Sequence, residues 1–245
     1  MKLSVIIPCF NAEDTIAVQL EALVRQRWGD PWEVIVSDNG STDGTLAIVE
    51  QYTERLPHFR IVDSSDRKGA AHARNVGALA ATGKALAFCD ADDEVAPGWL
   101  SAIGDALSEH DFVASRMDEK KLNRPLILKA RGGIQQDGLQ KYTYPPYLPH
   151  SGGCGLGVKK TLHERVGGFD ETMRQLEDTD YCWRIQLSGT PLYYVQDALV
   201  HIRFPETLSG VYRQACVWAE YNVLIYNKYR PLGMPKLTVK TGVKA

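Results

Sequence analysis

The most constraining feature of the sequence is an alternation between short apolar runs and segments with helical periodicity in its first ninety residues. The apolar runs cover residues 3–8, 33–37, 59–62 and 85–89, and helical patterns cover residues 14–24, 45–56 and 70–81. Strands that alternate with helices predict an α/β fold, a mostly parallel sheet with helices on both faces. With 44% hydrophobic residues, the 245-residue chain can bury a full core, which excludes a disordered, collagen-like or coiled-coil protein.

Charge and cysteine content exclude several other classes of protein. The 28 basic and 30 acidic residues give a net charge of −2, so nucleic acid is not an expected partner. The apolar runs are no longer than strands, which predicts no integral membrane segment.

The five cysteines form no C-x-x-C pair, so neither a disulfide framework nor a structural zinc site is indicated. The first residues lack an export-signal pattern, and we expect a cytoplasmic protein.

Polar residues follow each of the apolar runs. They lie at Asn11, at residues 38–43, at residues 63–68 and at residues 90–93. Ligands of open α/β sheets bind beyond the carboxyl ends of the strands. The four loops are therefore predicted to converge on one binding edge.

The most informative of these loops contains four acidic residues. It lies in the segment 87–94, which has the sequence Ala-Phe-Cys-Asp-Ala-Asp-Asp-Glu. Clustered carboxylates repel one another unless a cation neutralises them. On an extended chain Asp90 and Asp92 point the same way, and their hard oxygens favour Mg²⁺ or Mn²⁺. Such an ion would bridge the phosphates of a substrate. The alternative is a solvated acidic turn or a helix N-cap.

Two further loops suit parts of a nucleotide. Asp38, at the end of the second apolar run, could accept hydrogen bonds from a ribose or a base, or could form an Asx turn beside Gly40. Lys68 opens an alanine-rich helix, whose N-terminus suits an anion.

These segments, in this order, resemble the family 2 glycosyltransferases of the GT-A fold. The opening Ser-Val-Ile-Ile-Pro-Cys-Phe-Asn of residues 4–11 belongs to the same pattern. The resemblance covers residues 3–100 closely and extends more loosely to about residue 210. It implies a nucleotide-binding half of about residues 1–100, a smaller acceptor half of about residues 101–210, and a C-terminal helix with a basic tail over residues 211–245.

The resemblance also implies roles for individual residues. Pro8 and Phe10 would lie against the base and ribose, and Asp38 would hydrogen-bond the base or ribose. The basic loop and helix near the nucleotide would be Lys68, Gly69 and Arg74, and the D-x-D motif that holds the divalent ion and diphosphate would be Asp90, Ala91 and Asp92. Phe10 stands where many members have Tyr, and Asn39 where many have a second Asp.

The segment 175–184 resembles the Glu-Asp motif of the family, in which the Asp of inverting members is the catalytic base. This implies that Asp178 deprotonates the acceptor hydroxyl, with Glu177 beside it raising its proton affinity. Acids in the first turn of a helix also stabilise the helix dipole, so a structural role for Asp178 is the alternative. His201 follows a strand-like run where some GT-A enzymes have a third metal ligand. A hydrogen-bonded structural histidine is the alternative there.

The glycine-rich stretch 149–158 is placed by the same resemblance under the donor sugar and acceptor. Its spacing is not G-x-G-x-x-G and no strand precedes it, which argues against a Rossmann dehydrogenase. Cys154 could be a nucleophile beside His150, although a buried small residue is the simpler interpretation.

The last 45 residues carry seven basic and two acidic residues interleaved with aromatic ones. This basic aromatic end could contact an anionic membrane surface, or could be a packing helix with a solvated tail. Between them and the nucleotide half, residues 117–149 show no clear period and are expected to form an insertion or mobile loop.

Together, these features and the resemblance predict an inverting transfer of a sugar from a nucleotide-diphosphate donor to the hydroxyl of a glycan, lipid-linked or small-molecule acceptor, with Mn²⁺ or Mg²⁺ as cofactor. The resemblance implies a UDP-sugar as the donor, because uridine is the commonest base in the family, but no residue excludes a guanosine or thymidine donor. The alternative is a non-catalytic scaffold of the same fold that binds nucleotide sugars. A nucleotidyltransferase is a third interpretation, but residues 9–14 lack the basic, glycine-rich loop that would hold a triphosphate.

Overall fold

A computed structural model describes residues 3–131, 133, 135–143 and 145–237. Over these residues one sheet of eight strands runs in the order β3-β2-β1-β4-β7-β6-β8-β5, and helices cover it. The strands are β1 (Leu3–Cys9), β2 (Trp32–Asp38), β3 (Arg60–Asp63), β4 (Ala85–Phe88), β5 (Glu94–Val95), β6 (Phe112–Asp118), β7 (Leu156–Lys159) and β8 (Tyr193–His201). The helices are α1 (Ile16–Val24), α2 (Thr45–Glu50), α3 (Ala70–Ala80), α4 (Trp99–Glu109), α5 (Pro125–Arg131), α6 (Lys160–Arg165), α7 (Glu177–Leu187) and α8 (Leu208–Tyr229).

The first half of the sheet is parallel, as the sequence predicts. β1 pairs with both β2 and β4, and β2 pairs with β3, all in parallel register. Successive residues of β1 face opposite layers: Val5 and Ile7 pack in one apolar cluster with α1, while Ile6 packs in the other with α3. A strand buried on both faces needs the continuous apolar run that the sequence has here.

The second half of the sheet is mixed and was not predicted in detail. β7 lies antiparallel between β4 and β6, and β8 runs parallel to β6 with an irregularity at Ser115/Arg116. At the start of β7, Gly155 has φ +105° and donates its N–H to the carbonyl of Phe88 at 2.6 Å. A side chain there would meet Ser115, so the sheet can join its two halves only with glycine at this position.

The segment 117–149 contains more structure than its sequence indicates. β6 extends to Asp118, α5 covers Pro125–Arg131, and Gln140 forms an isolated antiparallel bridge with His150. The loop expected from sequence is therefore restricted to the connections around these elements.

The C-terminal helix α8 packs through its last turn against α7. Tyr229 donates its hydroxyl to Asp180 at 2.8 Å, and the Lys228 ammonium lies 2.7 Å from both Asp170 and Asp180. These contacts favour the packing role that the sequence left open for this end of the chain. Of its basic residues, Lys240 and Lys244 lie outside the described residues.

No helix in the described part of the chain combines the length and the apolar character that crossing a bilayer requires. All five cysteines are free thiols.

Candidate active site

A cavity of about 740 Å³ opens at the carboxyl ends of β1, β2 and β4. Nine residues are predicted to contact the nucleotide, including the three of the D-x-D motif. Eight of them line this cavity, and Asp38 does not. The lining set is Pro8, Phe10, Lys68, Gly69, Arg74, Asp90, Ala91 and Asp92. The sheet thus brings together residues from the carboxyl ends of three strands, β1, β3 and β4.

Phe10 and Lys68 form the outer wall of this cavity. The Phe10 ring is 49% exposed, which is unusual for so large an apolar side chain beside a buried strand. The Lys68 ammonium lies 5.8 Å from the centroid of that ring. An exposed ring with a cation nearby offers a stacking surface and a countercharge for a nucleotide.

Asp38 is buried and forms the turn that the sequence offered as the alternative. Its carboxylate accepts hydrogen bonds from the backbone N–H groups of Gly40 at 3.2 Å and Ser41 at 3.1 Å. These bonds fix the loop that follows β2, whose next residue, Asn39, lines the cavity.

Asn39 connects that loop to the basic loop before α3. Its side-chain amide donates to the carbonyls of Ser64 and Arg67, and its Oδ1 accepts the N–H of Gly69 at 2.8 Å. An aspartate could not donate these two bonds. The difference from the family pattern at this position therefore has a structural consequence: Asn39 holds the basic loop against β2.

Arg74 lies at the centre of the site, with its guanidinium almost fully buried. Nη2 donates to Asp90 Oδ1 at 2.7 Å, and Nη1 donates to Glu177 Oε1 at 2.8 Å. Burial alone would lower the pKa of Arg74, but the charges of Asp90 and Glu177 outweigh it and raise that pKa. Arg74 thus joins the acidic motif after β4 to the first residue of α7, a contact that the sequence did not indicate.

The acids after β4 crowd together as predicted. Desolvation and the charge of Asp90 raise the pKa of Asp92 to about 6. Desolvation and the charges of Asp92 and Asp90 also raise the pKa of buried Asp93. Asp90, Asp93 and Cys154 bring ligand atoms within 4.8 Å of one another. Burial also raises the pKa of Cys154 well above its usual value, so this residue is a neutral thiol and not an activated nucleophile.

The carboxylates of Asp90 and Asp92 have the ligand chemistry that a divalent cation requires. Asp90 and Asp92 both reach the cavity, and their oxygens are the hard ligands that Mg²⁺ and Mn²⁺ prefer. Desolvation and then the charge of Asp90 raise the pKa of Asp92, although Arg203 and Arg74 oppose the shift, and a bound cation would further favour the charged carboxylate.

Asp178 lies in a second cavity, of about 390 Å³, next to the first. Its two carboxylate oxygens accept the backbone N–H groups of Gly153 at 3.0 Å and Thr179 at 2.6 Å. Desolvation raises the pKa of Asp178 although Arg74 opposes the shift. Desolvation and the charge of Asp178 raise the pKa of the neighbouring Glu177 to about 7.

The glycine-rich stretch before β7 forms the floor between Arg74 and Asp178. A Cβ on Gly153 would lie 2.7 Å from Arg74 Nη2, a distance that real side chains do not adopt. Glycine at this position therefore lets the backbone approach both the guanidinium and the carboxylate.

His201 is separate from the acidic cluster. Its Nδ1 lies 2.8 Å from Asp118 Oδ2 at the adjoining ends of β8 and β6. Among the described residues, the group that could hold a metal contains Asp90, Asp93 and Cys154 but not His201. The geometry matches the structural alternative for His201, and its ligation of a metal stays a prediction.

Several cavity residues from the region after residue 117 were not identified as site residues from sequence, because they belong to no motif that the sequence analysis singled out. They are Arg131, Tyr142, Arg203, Phe204, Gln214, Trp218 and Asn222. The basic and aromatic content of the last 45 residues is the sequence signal for Arg203 and Trp218, and it does not indicate the direction in which those side chains point.

The fold is that of GT-A glycosyltransferases. The structure of residues 1–349 of TarS from Staphylococcus aureus in complex with UDP-GlcNAc aligns with a TM-score of 0.65 and 24% identity over 85% of this chain and 61% of that fragment. A mannosyltransferase from Pyrobaculum calidifontis, solved with GDP-Man and Mn²⁺, aligns with a TM-score of 0.65 and 25% identity over 84% of this chain and 58% of that protein. These similarities confirm the predicted fold class.

Sequence comparison gives the family. The model of "Glycosyl transferase family 2" matches residues 4–167, and the chain belongs to this family. The uncharacterized glycosyltransferase YibD of Escherichia coli K12 is 47% identical over 111 residues, which are 45% of this chain. That match spans about a third of YibD, 32% of its length.

Proposed function

We propose that the chain transfers a sugar from a nucleotide-diphosphate donor to an acceptor hydroxyl, with inversion at the anomeric carbon. The donor occupies the cavity at the end of β1, β2 and β4, and the acceptor occupies the cavity that contains Asp178. A UDP-sugar is the proposed donor, a choice supported by the UDP-GlcNAc complex of TarS.

The observation that carries this proposal is the shared wall of the two cavities. Six residues line both of them, namely Arg74, Asp90, Asp92, Arg203, Phe204 and Gln214. Asp178 and Glu177 line only the second cavity, and Phe10 and Lys68 only the first. A donor and an acceptor bound in this way would meet at the carboxylates of the acidic motif.

Asp178 is the proposed general base. As the acceptor oxygen attacks the anomeric carbon, its proton passes to the Asp178 carboxylate, the C–O bond to the diphosphate breaks, and the diphosphate leaves with the electron pair. Attack from the face opposite the leaving group inverts the anomeric centre. The desolvation that raises the pKa of Asp178 makes it a stronger base than an exposed aspartate.

The backbone holds Asp178 in one orientation. The Gly153 and Thr179 N–H groups fix its carboxylate, and Arg74 compensates its negative charge without a hydrogen bond to it. Asp178 therefore needs no rearrangement to accept a proton.

Asp90 and Asp92 are the residues proposed to hold a divalent ion, Mn²⁺ or Mg²⁺. The ion, when bound, stabilises the negative charge that develops on the departing diphosphate. The Mn²⁺ complex of the Pyrobaculum mannosyltransferase supports a metal of this class. His201 as a third ligand has no support from the contacts described above.

The proposed acceptor is a glycan, a lipid-linked sugar or a small molecule with a free hydroxyl. A cytoplasmic location, with the basic α8 region against the inner face of the membrane, stays a prediction.

A non-catalytic scaffold would bind the same donor without turning it over. Calorimetry with UDP and GDP, with and without Mn²⁺, tests donor binding, and release of nucleoside diphosphate from UDP-GlcNAc and other nucleotide sugars tests turnover. The proposal expects Mn²⁺-dependent binding and slow donor hydrolysis even without an acceptor. Tight binding with no turnover of any donor and acceptor would favour the scaffold.

A further inference from the structure

We propose that Arg131, the last residue of α5, binds an anionic oxygen group of the acceptor, a phosphate or a carboxylate. The inference rests on the proposed function, because it concerns the cavity that contains Asp178. It adds a class of acceptor to that function, namely one that carries negative charge.

Two aromatic rings hold the Arg131 guanidinium at the wall of this cavity. Its Cζ lies 4.3 Å from the ring centroid of Trp218 on α8 and 4.7 Å from that of Phe204. The Trp218 ring is itself fixed, since its indole N–H donates to Gln175 Oε1 at 2.9 Å. All four side chains line the same cavity.

Arg131 has no hydrogen-bond or ion-pair partner among the residues that the structure describes. The contrast with the other arginines of the site is clear: Arg74 is bonded to two carboxylates, and Arg203 donates Nε–H to the carbonyl of Asp92. Burial lowers the pKa of Arg131, and no nearby carboxylate opposes this shift.

A guanidinium packed between two aromatic rings keeps N–H donors that have no acceptor. Aromatic faces stabilise its charge but accept none of its five N–H groups in a strong hydrogen bond. Partial burial without acceptors costs free energy, which phosphate or carboxylate oxygens would recover by two parallel hydrogen bonds.

The rest of the cavity directs an anion toward Arg131. Asp90, Asp92, Asp93, Glu177 and Asp178 all line it, and they repel a negatively charged group. A neutral sugar hydroxyl can approach Asp178, whereas a phosphate or carboxylate on the same acceptor is stable only beside an unpaired cation. Arg131 would thereby determine which end of the acceptor faces the base.

The test uses the full chain saturated with UDP and Mg²⁺, a diamagnetic ion that leaves nearby NMR signals observable, so that the donor cavity is occupied. Glucose 6-phosphate, glucuronate and glucose are titrated separately, and binding is followed by NMR of the arginine side-chain N–H signals. We expect at least one of the two anionic sugars to bind about tenfold more tightly than glucose and to shift the signal that is absent in Arg131→Gln. Which of the two does so identifies the group as phosphate or carboxylate.

Three variants control this experiment. Arg131→Gln should remove the preference for anions, and Arg131→Lys, which keeps the charge but loses the paired donors, should retain part of it. Lys129→Gln, an exposed residue of the same helix outside the cavity, should change nothing. Equal binding of all three sugars, no detectable binding of either anion, or a preference that survives in Arg131→Gln would overturn the inference. UDP binding in the same samples keeps this result separate from the proposed function, which fails if UDP does not bind.

Discussion

The buried guanidinium of Arg74 forms an ion pair with the partly buried carboxylate of Asp90, with Nη2 and Oδ1 2.7 Å apart, at the point where the two cavities meet. The other terminal nitrogen of Arg74 holds Glu177, the first residue of α7. One guanidinium therefore sets the position of the proposed metal-binding motif relative to the helix that carries the proposed base.

Replacing Arg74 should destabilise the whole site. Arg74→Ala leaves two largely buried carboxylates without a countercharge and should lower the free energy of unfolding by about 3 to 5 kcal/mol. Arg55→Ala is the control, because its ion pair with Glu21 is exposed and its loss should lower stability much less. Urea unfolding of both variants makes the comparison. Equal losses would mean that Arg74 does not hold these carboxylates together.

The raised pKa of Glu177 predicts a pH dependence of stability. Its folded-state pKa of about 7 lies above the ordinary value of 4.5, because burial and then the charge of Asp178 favour the protonated form. The folded state thus binds more protons than the unfolded state in this window, and the stabilisation present below pH 4.5 is lost as pH rises through 7.

The difference in the free energy of unfolding between wild type and Glu177→Gln isolates the contribution of Glu177. Such a difference is needed because His150 and His163, whose pKa values burial lowers to about 4, give the opposite slope. Chemical unfolding at several pH values between 4.5 and 7 should show wild type losing stability relative to Glu177→Gln. A constant difference over that range would contradict the assignment.

Phe10 should contribute to donor binding and not to stability. Phe10→Ala removes an exposed stacking surface and should weaken UDP binding about tenfold, with little change in unfolding temperature. Phe10→Tyr should bind as wild type does. Leu79→Ala, at an 83% exposed position on α3, is the matched control for loss of an exposed apolar side chain. Calorimetry with UDP decides the outcome, and unchanged affinity in Phe10→Ala would exclude Phe10 from the donor site.

Gly153 should not tolerate a side chain. In Gly153→Ala the new methyl group would displace Arg74 and the N–H that orients Asp178, and we expect a loss of about 1 to 3 kcal/mol in stability together with slower transfer. Gly29→Ala, where nothing lies within 4 Å of the added Cβ, should behave as wild type. Thermal unfolding and a transfer assay test both variants. Wild-type behaviour of Gly153→Ala would show that the loop moves freely.

The first half of the fold was predictable because each element carries its own local signal. β1 is a continuous apolar run that is buried on both faces, and α3 is an alanine-rich helix that ends near Gly83. The edge of the sheet where the candidate ligand site lies followed from the parallel topology alone. Eight of the nine residues predicted there do line one cavity.

The second half depends on contacts that are distant in sequence. β7 is four residues long and contains a glycine, and its pairing with β4 and β6 decides that it is a strand. Arg74 shows the same limit at the site: its sequence position indicates a cation near a nucleotide, but its bond to Glu177, 103 residues away, arises only in the folded chain. Trp218 likewise faces the cavity because of the packing of α8, and a helix of mostly exposed residues has no periodicity that would reveal this.

The role of Asp178 as the base is tested most directly by the transfer rate and donor affinity of Asp178→Asn. The control is Asp197→Asn, at an exposed position on β8. Asparagine keeps the size of the side chain but cannot accept the acceptor proton as a base. With a nucleotide sugar and an acceptor that wild type uses, Asp178→Asn should bind UDP as wild type does and lose transfer by about a hundredfold or more, while Asp197→Asn keeps both. Transfer by Asp178→Asn at a near wild-type rate would contradict the assignment of Asp178 as the base.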